Sequence, residues 1–228
     1  MLKTRQLTNA ILIALSSATL LACSTTGTST PSVASDGLAL VPNTKFQEVY
    51  RDPNADLSSY TEIGLAPCKV AFKKNWMRDQ NSNRIDFSNR VTQKDVDRIK
   101  DNLSSACDEK FRAALLEDPA YAVVEAFTEG EHVLVLHPSI INLNINAPDV
   151  RSAGMSRTYT TSSGEMTLKL ELEDATTGAV IARAIDKRRG VDSNRLQWSS
   201  SVSNTAEANR TLSRWAKILR EGLDEARQ

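Results

Sequence analysis

Cys23 is the residue with the clearest chemistry in this sequence, because Leu20-Leu21-Ala22-Cys23 resembles the lipobox of bacterial lipoproteins. Lys3 and Arg5 give a positive start, and Ala10 to Leu21 is apolar apart from small polar residues. Positive charge, a short apolar core and a small-residue cleavage site together make a signal peptide, which is removed from the mature protein. The expected chemistry at Cys23 is acyl transfer. Its thiol takes a diacylglyceryl group, the chain is cut in front of it, and the freed amine is acylated. Several acyl chains on one cysteine anchor far more durably than a single chain. Ser24 follows Cys23, in place of the aspartate associated with inner-membrane retention, so the expected location is the periplasmic face of the outer membrane.

Acylation of Cys23 leaves Cys68 and Cys107, an even pair in a compartment that favours disulfides. Cys107 falls on one apolar helical face with Val96, Ile99, Leu103, Phe111 and Ala114, while Cys68 lies near the end of a strand pattern. A disulfide and a pair of buried thiols both fit this placement. His132 and His137 are the only histidines, and their spacing of five puts them on opposite faces of a strand. A shared metal is therefore not expected. The mature chain has no G-x-S-x-G elbow, no S-x-x-K element and no glycine-rich phosphate loop. No catalytic residue and no cofactor is expected.

These residues need a scaffold, and the chain is long enough for one domain plus a tether. The 228 residues carry 28 basic and 28 acidic side chains, and removal of residues 1–22 takes away only Lys3 and Arg5. Such a balance leaves no basic footprint for nucleic acid. Residues 23–43 start with the lipidated cysteine and are rich in Ser, Thr and Gly, as a flexible tether would be. Residues 44–228 then form a single domain. Strand patterns run over 62–72, 121–127, 133–146 (interrupted at Pro138), 165–173 and 179–187, with a turn at Asp174 to Gly178. Thr92 caps a helix reaching about Glu117, and a second helix starts near Asn204 and runs almost to the C-terminus. The order strand-helix-four strands-helix predicts an α+β fold. It would be a mostly antiparallel sheet of about five strands with two helices packed on one face.

In such a meander the connections 147–164 and 188–204 share one end of the sheet. The first carries Arg151, Arg157 and Tyr159, and the second Arg188, Arg189, Arg195 and Trp198. Arginine and aromatic residues on loops held by a rigid sheet form a candidate surface for a partner protein or an anionic envelope component. The plainer alternative is that Asp149, Asp186 and Asp192 pair with these arginines on a solvated surface.

Five stretches carry a family resemblance. They are Phe72-Lys-Lys-Asn-Trp76-x-x-Asp79-Gln-Asn81, Pro138-x-x-Ile-Asn-Leu-Asn-x-Asn-Ala-Pro148, Ala184-Ile-Asp-x-Arg-Arg189, and Asn204-Thr-Ala-Glu-Ala-Asn-Arg with Arg214-Trp-Ala-Lys-x-Leu-Arg-Glu-Gly222. Together they resemble the Gram-negative lipoprotein family called domain of unknown function thirty-three thirteen, from about residue 37 to the C-terminus. The resemblance implies a lipid-anchored α+β domain and supplies no reaction or catalytic residues. The expected function is a non-enzymatic binding or envelope-assembly accessory, anchored by lipid and facing the periplasm. An envelope hydrolase or lipid-modifying enzyme and a cell-wall-binding structural lipoprotein are the competing readings. Labelling of cells with radioactive palmitate is expected to mark the wild-type protein and to leave Cys23→Ser unmarked. Equal labelling of both would remove the lipoprotein reading.

Overall fold

The computed structural model describes residues 36–82, 84, 85, 87, 90–125, 132–146, 158–160, 164–190, 197–199 and 201–227, with backbone alone at 158–160, 197–199 and 201. Cys23 lies outside the described residues. In chain order the elements are β1 (Ala39–Leu40), β2 (Glu48–Arg51), β3 (Glu62–Leu65), β4 (Lys69–Phe72), α1 (Trp76–Asn81), α2 (Gln93–Leu115), β5 (Ala122–Val124), β6 (Val133–Ile145), β7 (Thr158–Thr160), β8 (Gly164–Asp174), β9 (Ala179–Arg189), β10 (Gln197–Ser199) and α3 (Ser201–Ala226).

The fold is α+β, but its main sheet has eight strands and is mixed, not a mostly antiparallel sheet of five. Its order is β1-β2-β9-β8-β6-β3-β5, with β4 also paired to β6. The β6–β8–β9 meander is antiparallel, as the turn at Asp174–Gly178 requires. On the other side of β6 the strands β3 and β4 are parallel to it, and β5 is parallel to β3. A strand that returns through a long helical connection can re-enter the sheet in its original direction, and α2 provides that connection between β3 and β5. The two N-terminal strands were beyond the reach of periodicity because they span only two and four residues. Leu38 is buried, β1 pairs with β2, and Asp36 bridges to Arg183.

Pro138 does not interrupt β6, which runs through it in the middle of the sheet. A proline is tolerated in a strand only where no partner needs its missing N–H. Ala66 donates its backbone N–H to the Leu136 carbonyl, so Leu136 faces β3, and Pro138, two residues on, faces the same edge. That edge is vacant there, because β3 ends opposite Leu136 and β4 resumes opposite Ser139. The gap is the Ala66-Pro67-Cys68 break, and α2 satisfies the groups it frees. Asp108 accepts from Cys68 N at 2.8 Å, and Ser104 donates to Cys68 O at 2.6 Å. Cys68 is bonded to Cys107 of the same helix, with their Cα atoms 6.1 Å apart.

Further along β6, Asn142 takes a positive φ of 54° at a bulge where pairing with β8 shifts register. Gly164 meets this bulge at φ +128°, and a Cβ there would come within 2.4 Å of the Asn144 carbonyl. Only glycine tolerates both conditions.

The core follows from alternation. Leu134, Leu136, Ile140, Leu168, Leu170, Leu172, Ala182 and Ala184 share one sheet face and one buried cluster with Leu103, Cys107 and Phe111 of α2. Leu212, Trp215, Leu219 and Leu223 of α3 complete it. The opposite face of β8 and β9 carries Lys169, Glu171 and Arg183, joined in ion pairs. Thr92 and Asp95 cap α2 reciprocally, as its sequence indicated. Its far end is held by Arg220 of α3. Arg220 donates to the carbonyls of Ala114, Glu117 and Pro119 at 3.1, 2.9 and 2.6 Å, and Asp224 accepts from its Nε. α3 starts at Ser201, a little ahead of the expected Asn204.

Loss of the disulfide relaxes a loop of 39 residues in the unfolded chain. Cys107→Ser is expected to lower unfolding stability by about 2–4 kcal/mol. Urea melts under oxidising conditions check this, and a wild-type melt unaffected by reductant would contradict it.

Candidate binding cleft

β9 enters the core with two charges. Its inward parity runs Ala182, Ala184, Asp186, Arg188, and the register places Asp186 opposite Leu168 and Arg188 opposite Met166. The Asp186 side chain is only 3% exposed. Its carboxylate is fully engaged: Oδ2 accepts from Trp215 Nε1 at 2.6 Å and Arg188 Nε at 2.5 Å, and Oδ1 accepts from Gln47 N at 3.1 Å. Such burial of a polar group is tolerated because each oxygen has a hydrogen-bond donor.

Arg188 extends from that anchor into a cleft of about 160 Å³ between the N-terminal halves of α2 and α3. Ile99, Leu103, Leu143, Ile145, Met166 and Ala208 make its walls and floor. The charged residues around it are Asp95, Arg98, Glu165, Arg188 and Glu207. Each carboxylate already has a cation: Asp95 has Arg98, Glu165 has both Lys187 and Arg189, and Glu207 has Arg210. The Thr92 hydroxyl, ahead of the other donors, holds the Asp95 carboxyl below its ordinary range. Burial pushes Glu165 upward, but its bonds to Lys187 and Arg189 outweigh that and leave it lowered. Two ionised, cation-bound carboxylates are poor proton donors near neutrality. Arg188 is bound through its inner edge. Asp186 takes its Nε, and its Nη groups make no hydrogen bond to a described residue.

Of the expected loop surface, the described residues place Tyr159, Arg188, Arg189 and Trp198. Tyr159 and Trp198 stand opposite each other in the β7–β10 pair, so both connections do meet at one end of the sheet. Ile145 pairs with Gly164, and Gly190 N donates to Gly164 O, at that same end. Arg188 and Arg189, adjacent in sequence, are divided by alternation. Arg188 faces the cleft, and Arg189 is exposed and bonded to Glu165. Arg151, Arg157 and Arg195 lie outside the described residues. Asp186 does pair with Arg188, but as a buried support and not as a solvated surface pair. His132 stacks on Tyr60 with ring centroids 4.7 Å apart, and His137 lies 3.3 Å from Glu173. No cluster suited to a metal occurs among the described residues.

The cleft itself escaped the sequence reading. Its signal was the period-two continuation Ala182-Ala184-Asp186-Arg188, which carries two charges onto the helix-covered face. The residues of the resemblance mostly hold the fold together around this cleft. Trp76 Nε1 donates to Ile145 O at 2.8 Å, Asn81 exchanges two hydrogen bonds with the Val91 backbone, and Asn204 donates to Asn146 O at 3.1 Å.

A sheet with a buried carboxylate, two long helices over it and an apolar cleft between them define a small α+β domain. Residues 32–219 match the family model described as protein of unknown function DUF3313, and the chain belongs to that family. Among solved structures it is similar to the PelC dodecamer from Paraburkholderia phytofirmans, at 12% identity over 75% of this chain and 96% of that one, TM-score 0.36. It is also similar to XCC0632 from Xanthomonas campestris, of family DUF330, at 15% identity over 83% and 90%, TM-score 0.38. A candidate lipoprotein from Caulobacter crescentus CB15 matches at 13% identity over 74% and 89%, TM-score 0.32. These likenesses are distant. No curated protein matches the sequence.

Asp186→Ala removes the acceptor of the Trp215 indole and the Gln47 amide and frees Arg188. It is expected to cost about 3 kcal/mol of stability, with Asp186→Asn costing less. Urea unfolding of the two variants checks this, and an unchanged midpoint for Asp186→Ala would show that the buried network is dispensable.

Proposed function

We propose that this protein is a lipid-anchored lipoprotein of the periplasmic face of the outer membrane, acting as a non-enzymatic binding or assembly accessory through the cleft between α2 and α3. The lipobox at Cys23 supports the anchor, and no helix among the described residues is long and apolar enough to cross a membrane. One observation carries the binding role: the cleft joins apolar walls to the partly exposed Arg188 guanidinium, which is held from below by Asp186, while its carboxylates are bound by cations. A site built for acid–base chemistry places a group near neutral pKa beside a second polar group. A binding site needs apolar surface and a few oriented donors, which is the inventory of this cleft.

The test is photo-crosslinking in cells from Asn209 at the cleft and from Asn54, an exposed control position. Capture of one envelope component from Asn209 alone is the expected result. The reading fails if both positions capture the same set, or if the purified protein hydrolyses an envelope phospholipid or glycan.

A further inference from the structure

The composition of the cleft says what kind of molecule it takes. Its volume of about 160 Å³ is close to the roughly 150 Å³ apolar cavity that holds one benzene ring. One short aliphatic segment fits such a space, and a whole lipid does not. The walls offer that segment Leu103, Leu143, Ile145 and Met166. None of these four can bind a polar group, so the depth of the site selects hydrocarbon.

At the edge of that apolar surface Arg188 keeps its outer donors unused by any described residue. A guanidinium presents its N–H groups in a planar fork that matches phosphate and carboxylate oxygens. Asp186 fixes this fork from below through Nε, which costs the ligand little ordering and leaves the Nη pair unused among the described residues. The carboxylates of the cleft do not stand against an anion, because each is already paired with a cation. Asp95, Glu165, Asp186 and Glu207 are answered by five cations, because Glu165 has two.

We propose that the cleft binds a single-chain anionic amphiphile, with the start of its alkyl chain among Leu103, Leu143, Ile145 and Met166 and its phosphate or carboxylate on the Nη groups of Arg188. This rests on the cleft being a binding site, as proposed above, and names the ligand class. The headgroup charge and the alkyl chain are both needed. The anion alone gains one exposed ion pair, and the chain alone leaves the guanidinium fork unmatched.

Calorimetric titration of the mature chain carrying Cys23→Ser with decyl phosphate, below its micelle concentration, tests the idea. Decyl maltoside and inorganic phosphate are the comparison probes. Decyl phosphate is expected to bind one to one. Arg188→Gln is expected to weaken it at least tenfold. Ala208→Leu, which fills the cleft from α3 without touching the charges, is expected to weaken it by as much, with thermal melts showing both variants folded. Three results overturn the proposal: no binding of decyl phosphate, equally tight binding of inorganic phosphate, or binding indifferent to either substitution. If decyl maltoside binds as well as decyl phosphate and only Ala208→Leu removes it, the anionic ligand is refuted while the cleft remains a binding site.

Discussion

Asp186 occupies a place in the sheet where its neighbour in register, Leu168, is apolar, and it stays there because each of its oxygens is taken. Its partners come from separate parts of the chain: Trp215 from α3, Gln47 from the approach to β2, and Arg188 from its own strand. One carboxylate thus ties the long C-terminal helix and the approach to β2 to strand β9. A buried charge tolerates no loose partner, since each lost donor exposes its desolvation cost. The same geometry aims Arg188. Its Nε must lie on Asp186, so its outer edge is presented to the cleft.

A second constraint acts along α2. The lane beside β6 is filled by two short strands, not one, and the break between them leaves backbone groups without sheet partners. Asp108, Ser104 and the Cys68–Cys107 bond fasten this break to the helix. Pro138 fits the centre of the sheet only because of that break. The far end of the helix is held by Arg220, whose donors satisfy three carbonyls at the helix terminus and just beyond it. With the middle of α2 fixed to the sheet and its C-terminal end fixed to α3, the opening between the helices lies in the remaining N-terminal region, near Ile99 and Ala208. The cleft is a consequence of how the helices are fastened as much as of which residues line it.

Much of this was legible in the sequence. The Thr92 start of α2, the apolar stripe of α3, the β8–β9 hairpin and the meeting of the two long connections all follow from local signals of cap, period and turn. The sheet's composition did not. β1 and β2 are too short to show alternation, and their place is set by pairing with β9, far away in the chain. Parallel pairing of β3, β4 and β5 likewise depends on where the chain returns after a helix, which no local pattern states. The arginines were legible as a group, but not their division, because Arg188 and Arg189 differ only by the strand parity that sends one inward.

What the sequence determined alone is what depends on neighbours within a turn or two: the lipobox, the helix caps, the apolar periods and the hairpin. These are short-range preferences of backbone and side chain, and they survive in any tertiary context that keeps them. Only the tertiary structure decided the mixed order of the sheet, the burial of Asp186 and the opening beside Arg188. Each depends on contacts between residues distant along the chain, where the desolvation of a charge and the packing of two helices must be satisfied together.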